Sequence, residues 1–242
     1  MKLVSKSVLA LAVASASLVA MPSYADSLSA NVSVTNNYIW RGLTQTTNDA
    51  AVQGGIDYAS DSGFYAGTWA SNVNYGADDV YSYEHDLYFG FSGEAGSFSY
   101  DVGYLYYNYD DVAEFDFGEV YGTLGFGNFS ATLYVLANTE AEEGEGQDFG
   151  FGEATYVSLD YTIALESGTE IGLHVGNHQG DFAEAFNGVT ESYNDWGVSI
   201  SRDGFSFAIT GTDMDDDEPA AGGAYDNDSV KFAVSYGVDF EL

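Results

Sequence analysis

Residues 229–242 read SVKFAVSYGVDFEL, and this stretch decides the fold because its two faces differ in polarity along its whole length. Successive side chains of a β-strand point to opposite faces of the sheet. One face here is wholly apolar: Val230, Phe232, Val234, Tyr236, Val238, Phe240 and Leu242. The other is polar or small: Ser229, Lys231, Ala233, Ser235, Gly237, Asp239 and Glu241. The alternation outlasts a typical soluble strand and suits a strand that crosses a bilayer at a tilt.

The same alternation recurs along the chain, and no amphipathic pattern of helical period extends over three turns. We predict twelve strands, at 28–41, 51–59, 64–73, 80–92, 98–108, 117–126, 129–137, 155–164, 170–178, 193–201, 205–212 and 229–242. The connections alternate between short glycine-containing turns and longer acidic loops, at 42–50, 74–79, 109–116, 138–154, 179–192 and 213–228. Short turns on one rim and long loops on the other are typical of outer-membrane barrels, whose short turns face the periplasm. The sequence therefore predicts an all-β fold, a transmembrane antiparallel up-and-down β-barrel of about 12 strands.

A soluble β-sandwich is the main alternative, since its strands also alternate but bury their apolar face. Aromatic residues near the strand ends favour the membrane barrel, because they suit the two interfacial girdles. The predicted girdle residues are Tyr38, Trp40, Tyr81, Tyr83, Phe91, Phe98, Phe126, Phe129 and Phe205. The apolar faces carry almost no charge, and His85 is an isolated polar group on one of them.

Residues 1–25 have the features of a signal peptide that is removed on export. Lys2 and Lys6 precede an apolar stretch from Val8 to Ala20, and Ser23-Tyr24-Ala25 is a small-x-small cleavage site. We expect a mature chain of residues 26–242 that forms a single barrel domain in the bacterial outer membrane.

The composition excludes several classes of function. The chain has 38 Asp and Glu residues against five Lys and Arg, and only Arg41, Arg202 and Lys231 lie outside the predicted signal peptide. Such a polyanion cannot bind nucleic acid by neutralising phosphates. It has no cysteine, which removes thiol nucleophiles, thiolate zinc sites and iron–sulfur ligands.

The stretch YIWRGLTQ at 38–45, AVQGGIDY at 51–58 and GFYAGTWASNV at 63–73 resemble the TorF family of porins. These proteobacterial outer-membrane proteins are also catalogued as a family of unknown function. The similarity extends along the mature chain, with later landmarks around Glu84, Asp101, Glu119 and His174. The resemblance implies a porin-like barrel and brings no established substrate and no catalytic residues.

The face predicted to line the lumen carries most of the charge that lies within the strands. Its candidate selectivity residues are Arg41, Asp57, Glu84, Asp86, Asp101, Glu119, Asp160, Glu170, Asp195 and Lys231. An acidic lining favours cations, so one interpretation is a cation-attracting channel. The other is a polar plug, in which paired charges and tyrosines fill the lumen. A barrel of twelve strands lies between eight-stranded barrels, which side chains fill, and sixteen-stranded porins, which are open. Arg41 itself is either a structural ion-pair hub or a ligand contact.

Two motifs that resemble metal sites are weak. Residues 213–218 begin as D-x-D-x-D, but Glu218 and Ala224 replace the glycine and the bidentate glutamate of an EF-hand. A solvated acidic loop and a weak divalent-cation site at the cell surface both remain open. His174 and His178 share a strand face about 13 Å apart, too far for one ion to bridge. We therefore expect no cofactor, no metal site and no catalytic residue.

Three functions from different classes remain. The first is an outer-membrane channel for passive diffusion of small solutes that prefers cations. The second is a non-conducting structural or surface-binding barrel. The third is an outer-membrane hydrolase, which would need a nucleophile and a base in contact, and no pair stands out among the serines and the three histidines. The expected partners are outer-membrane lipid, lipopolysaccharide, the barrel-assembly machinery and small solutes, and the sequence leaves the oligomeric state open.

Overall fold

The computed structural model describes residues 26–76, 80–187, 191–214 and 227–242. The predicted signal peptide lies outside the described residues, and so does most of the acidic 213–228 loop. No helix in the described part of the chain is long and apolar enough to cross a membrane.

Twelve antiparallel strands form a closed barrel, which confirms the predicted fold class. They are β1 (Ser27–Thr35), β4 (Ala51–Ala59), β5 (Phe64–Asn72), β6 (Tyr83–Ala95), β7 (Phe98–Asn108), β8 (Phe117–Phe126), β9 (Phe129–Thr139), β10 (Thr155–Ala164), β11 (Glu170–Gln179), β12 (Ser192–Arg202), β13 (Phe205–Thr212) and β14 (Lys231–Glu241). Each strand pairs with the next barrel strand along the chain, and β1 closes the barrel by pairing with both β4 and β14. Val32, for example, lies between Gly54 and Val238. Closure pairs the backbone groups of every strand, as a sheet in hydrocarbon requires.

The apolar face of the strands points outward. Val52 is 62% exposed, Phe232 63% and Phe129 64%, whereas the alternate residues point into the lumen. A β-sandwich would bury this face, so the sandwich alternative is wrong. His85 does point outward as predicted, and its Nε2 lies 2.7 Å from the hydroxyl oxygen of Thr68, which gives the ring a partner on the apolar surface.

The two rims of the barrel differ as the sequence predicted. Five short turns form one end, called here the short-turn rim, where β1 begins and β14 ends. The Asp203-Gly204 turn is one of three two-residue turns, with φ of 52° and 82°. A Cβ at Gly204 would lie 2.5 Å from the carbonyl oxygen of Gly237, so both the φ angle and the space require glycine. Six longer connections form the opposite end, the long-loop rim.

The predicted first strand, 28–41, is wrong at its end, since β1 stops at Thr35. The Thr35 hydroxyl donates to the carbonyl oxygen of Asn37 at 2.9 Å, a local bond that competes with strand pairing. Beyond it the chain turns into the lumen as a small hairpin of β2 (Ile39–Trp40) and β3 (Leu43–Thr44). Residues 37–46, called here the inner hairpin, are buried throughout.

The inner hairpin also corrects the predicted aromatic girdle and the predicted 42–50 surface loop. Tyr38 and Trp40 are 7% and 5% exposed and lie inside the barrel. Tyr81 also packs inward, with its ring 5.4 Å from that of Tyr109. The other predicted girdle residues lie outside the barrel, exposed by 39% at Tyr83 and by more than half at Phe91, Phe98, Phe126, Phe129 and Phe205.

A short helix, α1 (Asp181–Asn187), lies in the connection that was predicted as the 179–192 loop. Phe182 and Phe186 of α1 pack onto the inner hairpin and the start of β8. The ring of Phe186 is 5.4 Å from Trp40, and that of Phe182 is 5.0 Å from Phe117. Aromatic packing therefore covers the hairpin from the long-loop side.

Candidate functional site

The inner hairpin spans the lumen from the wall at β1 and β4 to the strands opposite. Its turn is Arg41-Gly42, with φ of 48° and 81°. A Cβ at Gly42 would lie 2.7 Å from the Cβ of Asp195 on β12 and 2.9 Å from a methyl carbon of Thr212 on β13. Only glycine lets the turn approach this wall.

Arg41 is the centre of the site and is almost completely enclosed. Its Nη2 donates to a carboxylate oxygen of Glu119 on β8 at 2.6 Å, and both side chains are at most 5% exposed. Its Nη1 donates to Nε2 of His178 on β11 at 3.0 Å. Since an arginine nitrogen can only donate, His178 accepts at Nε2 and is neutral. Buried charges require such partners, because desolvation of an unpaired ion is costly.

Aromatic rings enclose the guanidinium of Arg41. Its central carbon lies 4.2 Å from the ring centre of Trp40, 4.4 Å from that of Tyr156 and 5.2 Å from that of Tyr134. These distances are within the range of cation–π attraction. We call Glu119, Tyr134, Tyr156 and His178 the wall cage, since all four belong to adjacent strands β8 to β11.

A second group of carboxylates lies on β6. Glu84 accepts hydrogen bonds from the hydroxyls of Tyr38 at 2.6 Å and Tyr109 at 2.7 Å. Asp86 follows two residues later on the same face, about 7 Å along the strand. It is 3% exposed, and its Oδ1 has no hydrogen-bond partner among the described residues. The lumen thus contains a buried carboxyl oxygen that accepts no hydrogen bond from the described part of the chain.

His174 on β11 is held between two carboxylates. Its Nδ1 lies 2.7 Å from Asp160 and its Nε2 lies 2.8 Å from Asp195, which is 1% exposed. The Tyr156 hydroxyl also donates to Asp195, at 3.1 Å. A positively charged imidazolium satisfies both carboxylates, since it donates from both ring nitrogens.

The other predicted lumen residues are spread along the barrel. Asp101 accepts from the Tyr65 hydroxyl at 2.6 Å, and Asp57 accepts from the Tyr88 hydroxyl and from Asn31. Glu170 is half-buried at the start of β11, close to the short-turn rim. Lys231 is 4% exposed at the start of β14, where its ammonium donates to the carbonyl oxygen of Ser229 at 3.2 Å. Of the predicted lumen residues, Arg41 and Glu119 form a direct ion pair. Asp160 and Asp195 are linked indirectly, because each contacts one ring nitrogen of His174.

Burial of the lumen changes along the barrel axis. Towards the long-loop rim the inward side chains are buried, including Glu84, Glu119, Tyr156, His178 and Tyr193. Towards the short-turn rim Asp57, Asp160 and Glu170 are half-buried and Asp239 is exposed. Tyr65 and Asp101 lie on the same side and are 4% and 9% exposed, so buried and half-buried residues both occur towards the short-turn rim.

The long-loop rim is acidic and locally ordered by its own carboxylates. Asp110 accepts hydrogen bonds from the backbone nitrogen of Ser82 at 2.6 Å, the Ser82 hydroxyl at 2.9 Å and the backbone nitrogen of Tyr83 at 3.3 Å. Burial pushes the pKa of Asp110 upward, but these hydrogen bonds outweigh it and hold the pKa below its ordinary value. Among the described residues, no group of three or more His, Asp or Glu side chains is placed to hold a metal ion.

Sequence reasoning missed the inner hairpin, α1 and the cage around Arg41. The available signal was the Asn36-Asn37 pair, since asparagine favours turns, together with the glycine at position 42. The alternation of the predicted first strand puts Arg41 on the lumen side, and in the structure Arg41 reaches the lumen through the hairpin turn instead.

A model of a bacterial protein family of unknown function, named Gcw_chp, matches residues 20–238. The chain belongs to the Gcw_chp family. The match does not confirm the TorF name. No curated protein matches this Gcw_chp chain.

Solved structures similar to the Gcw_chp barrel include outer-membrane porins. The KdgM porin superposes with a TM-score of 0.51 at 9% identity, covering 89% of this chain and 99% of KdgM. A second KdgM structure, in complex with disordered oligogalacturonate, gives the same values. OprD of Pseudomonas aeruginosa has a TM-score of 0.42 at 11% identity, covering 80% of this chain and 60% of OprD. At 9% identity the KdgM likeness shows that the two chains share a closed β-barrel fold.

Proposed function

We propose that this Gcw_chp barrel is an outer-membrane channel for passive diffusion of small solutes and that it prefers cations. The observation that carries the proposal is the Asp86 carboxylate, which faces the lumen, is buried and leaves Oδ1 without a partner in the described chain. Glu84 lies on the same face, and the contacts of Arg41 are to Glu119 and His178 rather than to Asp86. A passing cation would stabilise the ionised form of Asp86, which burial and the neighbouring carboxylates disfavour, whereas an anion would not. The resemblance to TorF porins supports the same class.

The solute class proposed here differs from the ligand of the KdgM complex. Oligogalacturonate is an anionic polymer, and KdgM is recorded in complex with it. The Gcw_chp chain carries 38 acidic residues, more than half of them in the six longer connections. A rim of this kind concentrates cations and repels anions within about 8 Å at physiological salt.

A non-conducting surface-binding barrel is the second candidate, and the filled half of the lumen favours it. The inner hairpin and α1 occupy the space through which a solute would pass, so conduction requires the hairpin to move. We do not propose a hydrolase. Both ring nitrogens of His174 face carboxylates, and those of His178 lie next to Arg41 and Tyr193.

The proposed setting includes lipid around the outward apolar face and lipopolysaccharide beside the acidic loops. We propose that the barrel-assembly machinery inserts the chain after removal of residues 1–25. The acidic loops would need divalent cations to lie next to anionic lipopolysaccharide, since like charges repel.

Reversal potentials in planar bilayers across a potassium chloride gradient test the proposal. We expect potassium to be preferred over chloride, with a preference that weakens as salt rises because screening shortens the field. Replacing Glu84, Asp86 and Asp101 by Gln, Asn and Asn should lower the preference further, because lumen charges are screened less than loop charges. Asp61→Asn, in a short turn on the opposite rim, is the matched control and should change little. Anion selectivity would overturn the cation preference, and absence of any conductance would favour the surface-binding barrel.

A further inference from the structure

The four residues of the wall cage, without any contribution from the inner hairpin, supply the groups that bind a guanidinium ion. Glu119 supplies a carboxylate, His178 a neutral ring nitrogen, and Tyr134 and Tyr156 two aromatic faces. The four side chains come from four consecutive strands of a closed sheet, so their spacing is set by the barrel rather than by the hairpin. A planar cation with donors at its edge fits this combination of faces and acceptors.

Arg41 fills the cage from a tethered and strained position. Its φ of 48° lies in the left-handed region that side chains other than glycine, asparagine and aspartate rarely adopt. Its Nε is buried and has no hydrogen-bond partner among the described residues. A guanidinium on a small solute carries neither constraint, since its backbone is not forced through the Arg41-Gly42 turn. The cage therefore has the chemistry to hold an external ligand in place of its internal one.

We propose that the lumen wall carries a binding site for guanidinium-bearing solutes, and that Arg41 occupies this site from within as an internal competitor. A solute that enters the cage displaces Arg41 and with it the inner hairpin, which fills the long-loop half of the lumen. The proposal deepens the proposed channel by naming a solute class, but the binding step does not depend on conduction.

Methylguanidinium binding to the full-length barrel in detergent micelles tests the site. We expect Arg41→Ala to vacate the cage and to bind methylguanidinium saturably, with a rise in the unfolding temperature and a change in Trp40 fluorescence. Wild-type protein should bind more weakly, because Arg41 competes. Methylammonium at the same concentration has the same charge but lacks the planar fork, and it should have much less effect. Arg202→Ala removes an exposed arginine at the short-turn rim and should behave like wild type.

The double variant Arg41→Ala with Glu119→Gln separates the cage from general cation binding. Loss of the carboxylate should weaken methylguanidinium binding by about ten-fold or more. Equal binding by the single and double variants, or equal effects of methylguanidinium and methylammonium, would overturn the proposal. If Arg41→Ala does not fold alone, its refolding yield becomes the readout. Rescue by methylguanidinium but not by methylammonium then supports the site, and no selective rescue overturns it.

Conductance with methylguanidinium as the main cation is measured separately in planar bilayers. Selective binding of methylguanidinium without conductance would support the binding-site proposal and contradict the channel proposal. Conductance without selective binding would retain the channel and refute the site.

Discussion

At the scale of single residues, the buried position of Arg41 has energetic costs that its contacts must offset. A left-handed φ costs about 1–2 kcal/mol for such a residue, and a buried nitrogen without an acceptor adds to this. The ion pair with Glu119, the bond to His178 and the aromatic faces offset these costs. Because the pair is enclosed, breaking one side leaves an uncompensated ion in the lumen.

Glu119→Gln should therefore destabilise the barrel by about 3 kcal/mol or more, since it leaves the Arg41 charge buried without its counter-charge. The measurement is unfolding by urea in detergent micelles. The matched control is Asp203→Asn, which breaks the Arg202–Asp203 pair at the short-turn rim. That pair is 56% and 83% exposed, and its loss should cost less than about 1 kcal/mol. Similar costs for the two variants would show that the Arg41–Glu119 pair is solvated.

At the scale of elements, the inner hairpin is the segment whose position determines whether the lumen is filled. Backbone bonds within the hairpin are few: β2 and β3 contribute two residue pairs. It is held instead by contacts with the wall, among them the Tyr38–Glu84 hydrogen bond and the approach of Gly42 to Asp195. An element held mainly by side-chain contacts is more easily displaced than a barrel strand paired on both sides.

Gly42→Ala should displace the tip of the hairpin, because the new Cβ would lie 2.7 Å from the Cβ of Asp195. We expect lower stability and a higher single-channel conductance in planar bilayers. Gly127→Ala is the matched control: Gly127 also has a positive φ, of 61°, but nothing lies within 4 Å of the added Cβ. It should lower stability by about 1 kcal/mol without altering conductance. Equal conductance of both variants would contradict a plugging role for the hairpin.

At the scale of the whole molecule, the two unequal rims predict the orientation of the barrel in the membrane. Outer-membrane barrels place short turns in the periplasm and long loops outside. An epitope inserted at Gly144 should therefore be labelled by antibody on intact cells, whereas one at Gly204 should require permeabilised cells. Gly144 is exposed, and Gly204 is half-buried next to the exposed Asp203, so the Gly204 epitope is first checked for normal barrel assembly. The reverse labelling would overturn the assignment and with it the location of the acidic rim.

Strand positions could be predicted closely from the sequence because alternation is a local property. The predicted strands at 51–59, 98–108, 117–126, 155–164 and 205–212 coincide with β4, β7, β8, β10 and β13. The predicted end of the first strand is wrong, because residues 38–41 continue the alternation but belong to the inner hairpin. Periodicity says which side chains alternate, but it does not say whether the backbone stays in the sheet.

The sequence by itself determined the barrel, its outward apolar face, its two unequal rims and the acidity of its lumen, because each follows from residue order along a single strand or connection. Tertiary structure decided what occupies the lumen. The partners of Arg41 are Glu119 and His178, which lie 78 and 137 residues away. Closure of the barrel brings the strands that carry them together, and Arg41 of the inner hairpin fills the wall cage that these strands form. Contacts across a lumen depend on the path of the whole chain, so no local pattern predicts them.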